Sequence, residues 1–232
     1  MTPSRVHNKK EPRYLDDITF SSGDIQAGLK DDIFSSPRFL GLYDEGLMME
    51  KLEKAGIIEI LHRKGYRDLI ISISKQDNYT SRLYVDFASD KDEPTRLIEL
   101  IVREGVFRPR QSFVKGFDFQ EGLSMLLIEW LALQDPRTSF TPDKPRLPGQ
   151  AHPGMGGLKN MQGMLYSFGM ATNKDAIIDI PEYYHAAVIY SRLYSEMYSR
   201  SYSFFSPADA GQLHAMLRDF KGYSLADVSF AV

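Results

Sequence analysis

The chain has 232 residues, 43% hydrophobic and 25% charged, with 28 basic against 31 acidic side chains and a net charge of −3. That length carries one large domain or a core domain with an appended segment, and the charge balance argues against a dedicated nucleic-acid binder. No cysteine is present, which excludes disulfides, iron–sulfur clusters, thiolate zinc sites and a cysteine nucleophile.

The polar, basic stretch 1–14 reads as a flexible arm. It lacks the apolar core of a signal peptide, and no run approaches the ~18 apolar residues of a membrane span. The expectation is a cytoplasmic protein with no membrane partner. A short helix is expected over 22–34, from Ile25, Leu29 and Ile33 at spacings of four. A stronger helical pattern runs from 44 to 64 through Leu47, Met48, Leu52, Ala55, Ile58 and Leu61, with Gly56 as the place where it breaks in two. Together 15–66 read as a helical N-terminal extension to a core at 67–232.

That core opens with two alternating segments. Leu69, Ile71 and Ile73 point one way, as do Leu83, Val85 and Phe87, and the turn-forming QDNYT lies between them. This predicts a β-hairpin with one buried face. Residues 93–104, EPTRLIELIVRE, read as a helix with Pro94 in its first turn and Gly105 at its end. The apolar run 123–134 suits a central strand. Its Trp130 is expected to be largely buried, at a truncation cost of ~3–5 kcal/mol. A proline-rich connection follows, then helices at 157–170, 183–198 and 207–220, with a short strand at 176–181 inside the series.

Between the apolar strand and the next helix lies LPGQAHPGMGGL, residues 147–158, with four glycines and two prolines. Free amides at a helix N-terminus attract anions, and glycine lets a phosphate approach the backbone closely. The sequence leaves two readings open, a structural loop and an anion site. Neither G-x-x-x-x-G-K-[ST] nor G-x-G-x-x-G is met, since Lys159 is followed by Asn160 and itself holds the place of the third glycine.

The order of hairpin, apolar strand, Gly-x-Gly loop, helix, short strand and tyrosine-bearing helix resembles the GNAT superfamily of acyl-coenzyme A-dependent N-acyltransferases, over about residues 67–198. The resemblance implies an α/β (α+β) fold with a mostly antiparallel central sheet flanked by helices, here with the N-terminal extension and an extra C-terminal helix. It implies acetyl-coenzyme A or another acyl-coenzyme A as cofactor. Gly154, Met155, Gly156 and Gly157 would cradle its pyrophosphate, and Leu131, Ala132 and Leu133 would pair with the pantetheine arm. Ala186 and Tyr190 match the family's alanine-to-tyrosine spacing, which makes Tyr190 the acid for the leaving thiolate. Gln150 stands four residues before Gly154, where the family form has three, and Tyr183 holds the place of an asparagine.

The residues supply further candidates. Glu129, inside LLIEWLAL, reads either as a buried base with a raised pKa or as a solvent-side carboxylate in a salt bridge. Tyr190 reads as an acid or a core aromatic. His152, in the glycine loop, and Lys159, after it, read as phosphate contacts or as ordinary loop and surface residues, and Gln150 stands beside them. Lys144 and Arg146 carry the same two readings, and His185 reads as surface or one layer behind the site. No histidine spacing suits a metal and no G-x-S-x-G elbow exists. The acceptor is a small-molecule or peptide amine of unstated identity.

A rival reading comes from 182–205, where Tyr183, Tyr184, Tyr190, Tyr194, Tyr198 and Tyr202 crowd one segment. Such a surface suits a second copy or a protein partner, and the chain would then be a non-enzymatic interaction or regulatory module. A relative that binds acyl-coenzyme A without catalysis stands between the two.

Overall fold

The computed structural model describes residues 18–19, 37–91, 93–108, 121–198, 202–204 and 206–232. The expected arm at 1–14 and the helix at 22–34 lie outside these residues. The fold is α+β, a mixed and mostly antiparallel sheet flanked by helices.

After a two-residue strand β1 (Ile18–Thr19), the first two helices are α1 (Glu45–Lys54) and α2 (Ile57–Arg63). Asp44 caps α1 by accepting from the Leu47 amide at 2.9 Å. Gly56 separates the two helices at φ +76, a left-handed conformation that favours glycine, so the break expected there occurs. Their apolar faces, Met48, Leu52, Ile57, Ile58 and Leu61, enter one continuous core with the sheet. The N-terminal helices therefore form one layer of the same core.

The hairpin is present as β2 (Leu69–Lys75) and β3 (Thr80–Phe87), and Leu83, Val85 and Phe87 are buried. The expected helix at 93–104 is instead a strand, β4 (Arg96–Phe107), paired on one side with β3 and on the other with β5 (Leu123–Leu133). The cause of the misreading is visible in the register. Val85 pairs with Ile98 and Asp86 with Arg96, so Leu97 is an extra residue on β4. This bulge turns the neighbours Leu97 and Ile98 both inward, breaks the period of two, and produces spacings that look helical. Two hydrogen-bonded neighbours then fix the strand.

A second bulge decides the fate of Trp130. Ile101 pairs with Trp130 and Val102 with Ile128, leaving Glu129 as the extra residue on β5. Leu126 and Ile128 face the core before the bulge, and Leu131 and Leu133 pack against it after. Plain alternation would have carried 126, 128, 130 and 132 inward. The one-residue shift moves Trp130 off the core face, and it is 37% exposed, not buried as expected.

Beyond β5 the chain crosses through α3 (Leu158–Ala171) to β6 (Ala176–Asp179), which pairs with β5 in parallel. Asp175 pins the start of that pairing: its carboxylate accepts from the Ser124 amide and hydroxyl, each at 2.8 Å. The sheet order is β2-β3-β4-β5-β6, with β1 beside β4. Three helices follow: α4 (Tyr184–Tyr198), α5 (Pro207–Asp219) and α6 (Leu225–Ala231), the last not anticipated from the sequence. Ser206 and Ser224 cap α5 and α6. Among the described residues no helix is long and apolar enough to cross a membrane.

Candidate functional site

The glycine loop is moored to the end of β5. The Met155 amide donates to the Leu133 carbonyl at 3.2 Å, and the Asp135 amide donates to the Pro153 carbonyl at 2.8 Å. The chain then turns through Gly156 (φ +85) and Gly157 (φ +82) into α3. Only at Met161 does a backbone amide find its helical partner, the carbonyl of Gly157. No side chain caps this helix and no acidic residue stands in its first turn. Amides from Gly156 into the first turn thus face outward, with the positive end of a 14-residue helix behind them.

The α1–α2 break holds that helix end in place. Asn160 on α3 donates to the Ala55 carbonyl at 2.7 Å, beside Gly56. A Cβ at Gly157 would stand 3.1 Å from Ile60 Cδ1, in a conformation already left-handed, so both space and φ favour glycine there. Around Gly156 nothing lies within 4 Å of such a Cβ, and the loop opens onto free space.

That space is a cleft of about 200 Å³ between diverging strands. β6 pairs with β5 only over 125–128 and ends at Asp179, opposite Ile128. From Glu129 onward β5 runs on without it. Leu131 and Leu133 form the floor of the gap, Gln150, Gly154, Gly156 and Leu158 one wall, and His185, Ala186, Ile189 and Tyr190 of α4 the other. The crevice past the carboxyl ends of parallel strands is where open α/β sheets bind ligands.

Electrostatics mark the α4 wall. Burial, reinforced by the negative charge of Asp179, pushes Tyr190 up to about 12, so its hydroxyl keeps its proton at neutral pH. Tyr194 stacks on Tyr190 at 5.8 Å and is hydrogen-bonded to Asp179. Burial raises the Asp179 carboxyl above its usual range, and the Tyr194 hydrogen bond only partly offsets this. His185 is buried, and burial lowers its pKa.

Asp179 carries a test. Its protonated form is the one the fold favours. Its contribution to stability is therefore complete below the ordinary value of 3.8 and is lost as pH rises through the raised one. Asp179→Asn should melt higher than wild type at pH 7, with the difference shrinking at pH 3.5. A gain that does not change with pH would sink this account.

The sequence-derived candidates divide as follows. Leu131, Leu133, Gly154, Gly156, Gln150 and Tyr190 converge on the cleft. Ala132 alternates away from that floor, and Gly157 sits behind it as the N-cap of α3. Met155 turns its side chain into the core and spends its amide on Leu133, so it does not offer a free donor. Glu129 is not the buried base: it occupies the bulge, exposed, with Arg103 Nε 2.6 Å from its carboxylate. Lys159 is exposed beside Glu196 at 3.9 Å. Arg146 donates from Nε to the Gln150 carbonyl at 2.8 Å and braces the loop. His152 is half-buried and Lys144 closes a turn on Thr141. His185, read as surface or one layer behind, is buried and lines the cleft. Asp179 was missed. Its only signal is a carboxylate closing the apolar strand AIID.

Among the described residues no group of three or more His, Asp or Glu is placed to hold a metal ion. Comparison of the chain with protein-family models, with curated proteins and with solved structures finds no match.

Proposed function

We propose that the cleft binds acyl-coenzyme A and that the chain is a GNAT-type N-acyltransferase or a relative that retains the binding site. The observation that carries this reading is the open stretch of β5 beside an uncapped, glycine-opened helix. The strand edge offers hydrogen bonds to an extended amide-bearing arm, and the helix end offers them to a pyrophosphate. The chain passes from β3 to β4 with no helix between them among the described residues, the direct join that is usual in the GNAT pattern.

In this reading the acceptor amine attacks the thioester carbonyl, forming the C–N bond as the C–S bond breaks. Tyr190, protonated at neutral pH, donates to the departing thiolate. Asp179, at the end of β6 and close enough for its charge to act on Tyr190, takes the amine's proton in this reading, in place of Glu129.

The rival interaction-module reading draws less support. Tyr190, Tyr194 and Tyr198 spend their ring faces on one another, and Tyr194 is buried. A thermal-shift titration with coenzyme A and acetyl-coenzyme A tests the proposal. Stabilisation should grow as ln(1 + [L]/Kd), reaching ~2.7 kcal/mol at a hundredfold excess over Kd. A melting temperature unmoved by millimolar ligand would remove the acyl-coenzyme A reading and leave the tyrosine surface as the leading account.

A further inference from the structure

We propose that His185 is a specificity residue of the cleft, donating a hydrogen bond from Nε2 to an amide carbonyl of a phosphopantetheine arm. This rests on the acyl-coenzyme A reading and adds to it a named contact on α4.

His185 is only 8% exposed, and its Nδ1 is enclosed with no hydrogen-bond partner. Nε2 also makes no hydrogen bond among the described residues, and it is the nitrogen left open on a residue that lines the cleft. A neutral imidazole has one N–H and one lone pair. Buried orphan N–H groups are rarer than under-satisfied acceptors, so the lone pair belongs on enclosed Nδ1 and the proton on Nε2. The imidazolium would need N–H on both nitrogens, and burial already disfavours it. What the cleft receives is a neutral, directional donor. Such a donor suits a carbonyl oxygen better than a phosphate.

The ring's orientation is fixed by its neighbours. Tyr183 stacks on it with centroids 5.5 Å apart and planes 13° from parallel. Tyr183 is in turn pressed by the glycine loop, since a Cβ at Gly149 would come within 2.8 Å of its ring. His185 lines the same cleft as Leu131 and Leu133. His185 and Tyr190 stand five positions apart on α4, about 7.5 Å along the helix axis, and both line the cleft. Beyond its thiol the arm carries two amide carbonyls in succession. An arm laid along the cleft with its thiol at Tyr190 therefore passes one of these carbonyls by His185.

The test measures binding of coenzyme A, 4′-phosphopantetheine and 3′,5′-ADP to wild type and to His185→Phe, His185→Gln and His185→Asn. Phe keeps the stacking on Tyr183 and removes the donor. It should weaken coenzyme A and 4′-phosphopantetheine by about five- to tenfold, the usual worth of one hydrogen bond, and leave 3′,5′-ADP unchanged. Gln places its amide nitrogen where Nε2 stands and should restore most of the affinity, whereas Asn should not. Equal binding by wild type and His185→Phe would overturn the proposal while leaving the acyl-coenzyme A reading intact. Failure of wild type to bind coenzyme A would overturn both. Nitrogen-15 NMR of wild type needs no variant: it should show the Nε2–H tautomer, with that nitrogen's resonance moving on addition of coenzyme A. An Nδ1–H tautomer would refute the assignment.

Discussion

Gly156→Val should lose more than about a hundredfold in coenzyme A affinity while still folding. Two outward amides engaged with a charged pyrophosphate contribute about 1.5–3 kcal/mol each, so blocking the backbone approach removes several kcal/mol of binding. A Cβ at Gly156 meets nothing within 4 Å, so the side chain starts out into open space. Its cost to the fold comes from φ +85, at about 1–2 kcal/mol for a left-handed non-glycine residue. Circular dichroism and melting measured alongside calorimetry separate the two effects. Gly163→Ala is the control. It lies exposed in α3 with nothing near its Cβ, and it should gain about 0.5–1 kcal/mol of stability without touching affinity. Unchanged coenzyme A binding by Gly156→Val would mean that the glycines serve the turn alone.

Asp135→Ala should be the more damaging change to the fold, at about 3 kcal/mol, or roughly 6–12 °C in melting temperature for a chain this size. Asp135 is 3% exposed at the end of β5. Its carboxylate accepts from Lys64 Nζ at 2.8 Å and from the Tyr66 hydroxyl at 2.6 Å, tying the end of α2 to the base of the glycine loop. Removal leaves a buried phenol and a partly buried ammonium without their acceptor. Burial pushes the Asp135 carboxyl up, but the Lys64 and Tyr66 hydrogen bonds and the Lys64 charge outweigh it, and the net shift is downward. That stabilisation is present above the ordinary 3.8 and is lost as pH falls through the lowered folded value. Acid unfolding of wild type should therefore steepen below pH 4, and Asp135→Ala should show a shallower decline. A melting temperature within 2 °C of wild type at pH 7 would contradict this role.

Local chemistry made much of this legible in the sequence. The hairpin at β2 and β3, the break at Gly56 and the central strand β5 each follow from patterns a few residues long. Bulges defeated that reasoning. Leu97 on β4 and Glu129 on β5 each insert one residue, and which strand takes the extra residue is settled only by the partner strand. One bulge disguised a strand as a helix, and the other moved Trp130 to the outer face and Glu129 out of the core. The site divided in the same way. Gly154 and Gly156 stood out in the glycine loop, whereas Leu131, Leu133 and Tyr190 were implied by the GNAT resemblance, and all five line the cleft. His185 and Asp179 were not readable, because their burial depends on how α4 lies against the end of β6. That is a contact between elements, and periodicity along either one does not contain it.

The parallel join of β5 to β6 also has a kinetic consequence. Strands β2 and β3 meet across a turn at 76–79, whereas Met125 and Ala176 find each other across about fifty intervening residues. Closing the longer loop costs more chain entropy, so the antiparallel meander is expected to form in the folding nucleus and the β5–β6 join after the barrier. Substitutions such as Leu83→Ala should then slow folding, while Ile177→Ala should mainly hasten unfolding. A ligand seated in the gap touches contacts made late. Under the acyl-coenzyme A proposal, coenzyme A should therefore lengthen the lifetime of the native state and leave the refolding rate nearly untouched.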